Sequence, residues 1–214
     1  FTNAGFTVGT YPYYDADKRG VNFDAMLAAL NGAAAGTIVV LHACCHNPTG
    51  VDLTRDHWRQ VIEIVRQGNL VPFLDIAYQG FGSGIDEDGA AVRMFADSGI
   101  TFLVSSSFSK SFSLYGERVG ALSIVDQSQE ESARVLSQLK RVIRANYSTP
   151  PTFGAQLVAT VLTSPALYAM WEEELAGMRE RIKAMRHALV AKLKAAGVKG
   201  DLDYITRQLG MFSY

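Results

Sequence analysis

Apolar positions along the first 125 residues fall into two alternating patterns. Continuous apolar runs at Thr37–His42 and Leu70–Leu74 predict short strands buried in a sheet, Ile100–Val104 is strand-like, and a further apolar run covers Val119–Val125. Between them the spacing widens to a helical period. Trp58, Val61, Ile62 and Val65 recur at i, i+3, i+4 and i+7, behind a Thr54 cap and ahead of the Gly68-Asn69 stop. Phe23, Met26, Leu27 and Leu30 predict an earlier helix capped by Asn22, and Ala90–Ser98 predicts a third. Thr7–Tyr14 is aromatic and β-prone, closed by the turn-forming Asp15-Ala-Asp-Lys-Arg-Gly20. Strand, loop, helix, strand, three times over, is the pattern of an α/β fold with a mostly parallel sheet between helical layers.

Beyond Val125 the pattern is helical throughout. Gln127–Ala145 is broken by Asn146-Tyr-Ser-Thr-Pro-Pro151, and Phe153–Leu162 follows. Ser164 caps a long helix with Pro165 at its first position. Trp171, Leu175, Met178, Ile182, Met185, Leu189 and Leu193 form one stripe along it, so its methionines are expected in a core. Glutamates early and lysines late suit the helix dipole. Gly177 lies within the stripe and is expected to mark a bend between a large domain, residues 1–176, and the start of a smaller one, residues 177–214.

Composition narrows the classes. The chain has 48% hydrophobic and 19% charged residues, and 20 basic against 21 acidic side chains leave a net charge of -1, with no case for nucleic acid. No apolar run reaches the roughly 20 residues of a membrane span. Cys44 and Cys45 are adjacent, which gives neither a disulfide framework nor metal-ligand spacing, and the cytoplasm is the expected compartment. No metal is expected. A start at Phe1 and a stop within Met211-Phe212-Ser213-Tyr214 suggest a piece of a longer protein.

In parallel sheets ligands bind beyond the carboxyl ends of the strands. Three loops occupy that place: those carrying His42–Gly50, Asp75–Tyr78 and Ser105–Lys110. The last presents one lysine among small residues, where partial desolvation favours the neutral amine that attacks a carbonyl carbon. Ser107 and Arg118 flank it with a hydroxyl and a planar guanidinium suited to a phosphate dianion. Amine and anion cradle together point to an aldehyde cofactor carrying a phosphate, pyridoxal 5′-phosphate (PLP). Ser107-x-x-Lys110 alone is more often a surface turn. It also fits serine acyl-enzymes, but the Ser-Asp-Asn and Lys-Thr-Gly those require do not occur. Gly80-x-Gly82-x-Gly84, with no helix expected close behind it, is not a dinucleotide fingerprint. Read singly, Asp75 is also a strand-end turn former, Tyr78 a core residue, His42 a satisfied core histidine and Arg144 a solvated helix end.

Taken together, His46-Asn-Pro-Thr-Gly50, Asp75-Ile-Ala-Tyr78-Gln-Gly-Phe and Ser107-Phe-Ser-Lys110-x₇-Arg118 resemble the fold-type I, class I aspartate/aromatic aminotransferases over essentially the whole chain. Phe112-Ser-Leu-Tyr-Gly-Glu-Arg-Val-Gly120 and Asn146-Tyr-Ser-x-Pro-Pro151 are closest to the bacterial tyrosine (aromatic amino acid) members. The resemblance implies a three-layer α/β/α PLP-binding domain and a homodimer. It also implies transamination between an aromatic or acidic amino acid and 2-oxoglutarate. Lys110 would bind the cofactor covalently and shuttle the α-proton in a 1,3-transfer. Asp75 would face the pyridine nitrogen, with His42 orienting it by a hydrogen bond. Tyr78 and Asn47 would bond the ring's 3′ oxygen, and Ser107 and Arg118 the phosphate. Arg144 would reach the neighbouring subunit's site to bind a substrate's distal carboxylate. No role attaches to His46. Further cofactor and substrate groups would lie upstream of Phe1 and downstream of Tyr214, leaving the activity of these 214 residues alone in doubt. A β-lyase or decarboxylase of the same fold, or the PLP-sensing domain of a transcription regulator, would share Lys110, Asp75 and Arg118.

Overall fold

A computed structural model describes residues 1–213 and holds six strands and eight α-helices among them. Past a 3₁₀ turn at Thr2–Ala4, strands β1 (Tyr14–Asp15) and β2 (Gly20–Val21) make a small antiparallel pair. The run from Thr7 therefore becomes strand only at its last residue. Its tyrosines bind by side chain instead, the Tyr11 and Tyr13 hydroxyls donating to the Val40 and Val51 carbonyls at 2.8 and 2.7 Å.

The main sheet holds β3 (Ile38–His42), β4 (Val71–Ile76), β5 (Phe102–Ser107) and β6 (Gly120–Val125) in that order, the first three parallel and β6 antiparallel. Helices α1 (Phe23–Asn31), α2 (Arg55–Gln67) and α4 (Ala90–Ser98) join the core, the latter two carrying the crossovers between parallel neighbours. Right-handed crossovers place α2 and α4 on one face, where Trp58 meets Phe95 edge-on at 6.1 Å. Burial consequently alternates along the strands. Val39, Leu41, Leu74, Ile76, Phe102 and Val104 are buried, whereas Phe73 and Leu103 are only partly covered. Each fully buried aliphatic side chain contributes about 1.5–3 kcal/mol.

Asn22 stands at the N-cap of α1 but makes no side-chain cap hydrogen bond, whereas the Thr54 cap forms as its chemistry dictates. Thr54 Oγ1 accepts from the His57 N–H at 3.1 Å, the Thr54 N–H donates to His57 Nδ1, and the His57 ring stacks on Phe23 at 3.8 Å, tying α2 to α1. One expectation is corrected: a helix does follow the Gly80–Gly84 loop, the single turn α3 (Ile85–Asp88). The loop still makes no phosphate cradle, because the amides of Gly80, Gly82 and Ser83 all donate to the buried Asp88 carboxylate at 2.8–2.9 Å.

The helical remainder comprises α5 (Gln129–Asn146), α6 (Phe153–Thr163), α7 (Pro165–Ala195) and α8 (Tyr204–Arg207). Helix α7 runs unbroken through Gly177. The expected apolar stripe is its buried face only in part, through Trp171, Leu175, Ile182 and Leu193. Met178, Met185 and Leu189 are exposed, while Leu175, Arg179, Ile182, Arg186 and Val190 are buried or half-buried. Two arginines enter that face because each folds onto backbone carbonyls: Gly80 for Arg179, and those of residues 205–212 for Arg186. No single helix among the described residues is long and apolar enough to cross a membrane.

Candidate active site

The three loops meet because three strands end in register. His42 pairs with Asp75 and Asp75 with Ser105, so one row across β3, β4 and β5 sets an imidazole, a carboxylate and a hydroxyl side by side. Ser105 Oγ donates to Asp75 Oδ1 at 3.1 Å. His42 Nδ1 accepts the Asn47 N–H at 3.3 Å, which leaves the ring proton on Nε2, facing Asp75 Oδ2 at 4.0 Å. The hydrogen bond expected from His42 to Asp75 is not made at that distance. Ser105 makes it instead.

Tyr78 follows two residues past the end of β4, its ring buried. Asn47 Nδ2 donates to the Tyr78 hydroxyl at 3.3 Å, joining the first loop to the second. Lys110 joins the third, its Nζ standing 4.8 Å from the Tyr78 ring centroid in a cation–π arrangement. No ion partner for Lys110 occurs among the described residues. The amine is thus half-buried and held over an aromatic face.

The β5–β6 hairpin and α7 fix the turn that carries Lys110. Ser107 pairs with Gly120 at the hairpin's end, and the Phe108 N–H donates to Val119 O at 3.2 Å. Trp171 Nε1 donates to Ser111 O at 2.7 Å, and its ring stacks on Phe112 at 4.5 Å. Ser107 Oγ accepts the Ser109 N–H at 3.3 Å, leaving its own proton to donate. Arg118 is exposed at the same end of the hairpin, with one N–H on Tyr115 O at 2.9 Å and the rest of its fork without a described partner. Arg144 stands apart in the last turn of α5, exposed and bonded to Ser148 Oγ.

The loop from His42 to Gly50 is pinned from beneath. Asp52 accepts the Cys45 and His46 N–H groups at 2.7 and 2.8 Å, and burial pushes its carboxyl up. His46 stacks on Tyr13 at 3.9 Å and shares a hydrogen bond with Thr49 Oγ1 at 2.8 Å. Burial, then the neighbouring His42, pulls its pKa down to about 4, so it is neutral at pH 7. Cys44, Cys45 and Asp88 also converge, their ligand atoms within 4.8 Å of one another, a grouping that sequence spacing did not suggest. The hydrogen bond with Cys45, and then burial, push the Cys44 thiol far up, and Asp88 is engaged by the three amides already described.

Ser105 is the site residue that motif reading missed. Its only signal was positional: it is the residue of β5 that parallel register brings opposite Asp75.

The family model for aminotransferase class I and II matches residues 1–214. The chain is 64% identical to an aspartate aminotransferase of Pseudomonas aeruginosa, over all of this chain and 54% of that protein. It is 55% identical to an aromatic-amino-acid aminotransferase of Escherichia coli, again over all of this chain and 54% of that one. Among solved structures, it is similar to an aromatic-amino-acid aminotransferase from Burkholderia pseudomallei covalently bound to pyridoxal phosphate. There the TM-score is 0.99 and the identity 66%, over all of this chain and 54% of that one. The chain spans about half the length of the curated relatives it matches.

Proposed function

The chain belongs to the aminotransferase class I and II family, and we propose that the full-length protein moves an amino group between an aromatic or acidic amino acid and 2-oxoglutarate, with PLP as cofactor. The observation that carries this is the junction of all three loops at Tyr78. Lys110 lies over its ring, Asn47 bonds its hydroxyl, and Asp75 stands in the adjacent strand-end row.

The donor set suits PLP group by group. Lys110 offers an amine to the aldehyde carbon, and Asp75 offers a carboxylate to a protonated ring nitrogen. Tyr78 and Asn47 offer hydrogen bonds to the 3′ oxygen, and Ser107 and the free N–H groups of Arg118 offer donors to the phosphate. When bound, PLP supplies the electron sink that lets an amino acid's α-hydrogen leave as a proton. Lys110 Nζ would take that proton and return it. Asp75, kept in place by Ser105 Oγ, would hold charge opposite the ring nitrogen while Lys110 works. Arg118→Ala is expected to weaken PLP binding about 10- to 150-fold, one charged hydrogen-bonded contact being lost. Absorbance titration of the apoprotein checks this, and unchanged affinity would remove Arg118 from the phosphate site.

We extend the proposal to the assembly, a cytoplasmic two-fold homodimer in which Arg144 serves the partner's site. In support, α5 buries none of its residues within this chain and leaves Leu136 and Val142 more than half exposed. A small domain starting near residue 177 is supported by Val190 and Ile205, which are buried outside the main core cluster. The test compares aspartate and tyrosine as amino donors to 2-oxoglutarate in the full-length protein. Arg144→Ala is expected to cut kcat/KM for aspartate about 30- to 1,000-fold, and for tyrosine far less, since only aspartate carries a distal carboxylate for bidentate pairing. Equal losses would make Arg144 a solvated helix end. No transamination by the wild type would refute the function.

A further inference from the structure

Arg186 lies two helical turns after Arg179 on the buried face of α7 and spends its guanidinium on backbone alone. Nη1 donates to the Ile205 and Gln208 carbonyls at 2.8 and 2.5 Å, and Nη2 donates to Gly210 at 2.8 Å and to Phe212. A half-buried cation is destabilising unless its donors are satisfied, and here desolvation lowers the guanidinium's pKa. A planar fork spans four carbonyls; an ammonium, with three donors at one point, does not.

The segment so held is a strap across the site's first loop. The Leu209 N–H donates to Gly50 O at 2.8 Å. Gly50 and Gly210 both have left-handed φ, +69° and +74°. A Cβ on Gly50 would run into Phe212 O, and one on Gly210 into the Cys45 side chain. Only glycine permits so close an approach of backbone to backbone. At the strap's end the Phe212 ring meets the Tyr78 ring edge-on, 5.5 Å between centroids at 86°. Two residues past Tyr78 in its own loop, Gly80 O accepts from Arg179 Nη1 at 2.9 Å. Tyr78's own loop and the strap against it are thus each clamped by an arginine of one helix face.

We propose that Arg186 is a positioning residue for Tyr78. By holding residues 205–212 against the first loop, it presses Phe212 onto the phenol ring that seats Lys110 and Asn47. Its consequence for catalysis rests on the function proposed above; the positioning itself does not.

The experiment uses full-length protein labelled with 3-fluorotyrosine, the Tyr78 ¹⁹F signal being assigned by its loss in Tyr78→Phe. Arg186→Lys and Phe212→Leu are each expected to shift that signal in the same direction. Arg186→Lys is also expected to lower kcat about tenfold with KM within about threefold. That loss should vanish in the Tyr78→Phe background, since the two residues act in series. An unmoved signal in folded Arg186→Lys, or losses that add in full, would overturn the proposal. Should Arg186→Lys not fold, Phe212→Leu decides alone, and no shift with unchanged kcat overturns it. A wild-type protein without transaminase activity refutes the function, while the fluorine shift still decides the strap.

Discussion

Replacing Lys110 by alanine is expected to reduce transamination by the full-length protein at least about 10⁴-fold, roughly 5 kcal/mol of barrier, with the fold retained. The fold survives because Lys110 is half-buried and its described side-chain contact is the Tyr78 face, worth about 0.5–2 kcal/mol. The turn around it is held by Trp171, Phe112 and the hairpin, none of which needs the amine. Activity is not expected to survive, because in the proposed function one amine would both capture the cofactor's aldehyde and move the proton. Lys110→Arg separates charge from nucleophilicity. It keeps a cation over the Tyr78 ring but cannot deprotonate, so it is expected to be as inactive as the alanine variant. In the wild type, borohydride reduction and peptide mapping should place a pyridoxyl adduct on Lys110. An adduct on another lysine, or none with PLP supplied, refutes the assignment.

Much of this site was legible in sequence because its groups sit at strand ends, and strand ends are marked by where apolar runs stop. His42, Asp75 and Ser105 close three such runs, and the parallel topology brings them into one row. Roles for Asn47 and Tyr78 came from resemblance, and the hydrogen bond between them gives that pair a physical basis. Ser105 went unseen because it lies outside the Ser107-x-x-Lys110 motif and nothing local sets it apart from Ser106; only register does. The inner face of α7 was misread for a different reason. Hydropathy counts an arginine as solvent-facing, whereas Arg179 and Arg186 lay their stems along the core and satisfy their heads on carbonyls. A stripe drawn through Met178 and Met185 followed composition, while the helix turned according to where acceptors lay. Helix α3 was overlooked because a single turn is too short for periodicity.

The row through β4 also carries the second large expected effect. Asp75→Ala should slow kcat about 10³-fold, roughly 4 kcal/mol, while the protein still folds and still attaches its cofactor at Lys110. Folding should tolerate the change because the Asp75 side chain is 39% exposed and makes one side-chain hydrogen bond, to Ser105. The rate should not, because the one side chain hydrogen-bonded to this carboxylate among the described residues is a hydroxyl, Ser105 Oγ, which orients its charge without cancelling it. A fixed negative charge so directed favours positive charge opposite it, which the proposed chemistry requires at the ring nitrogen. Asp75→Asn keeps the shape and the Ser105 bond but removes the charge, so it should resemble alanine. Ser105→Ala leaves the charge and loosens only its aim, so about a tenfold loss is expected. Substrate deuterated at the α-carbon separates the chemical step from binding. The isotope effect on kcat should rise in Asp75→Ala as proton abstraction becomes limiting. Near wild-type turnover in that variant, or a loss confined to KM, would return Asp75 to the role of a strand-end turn former.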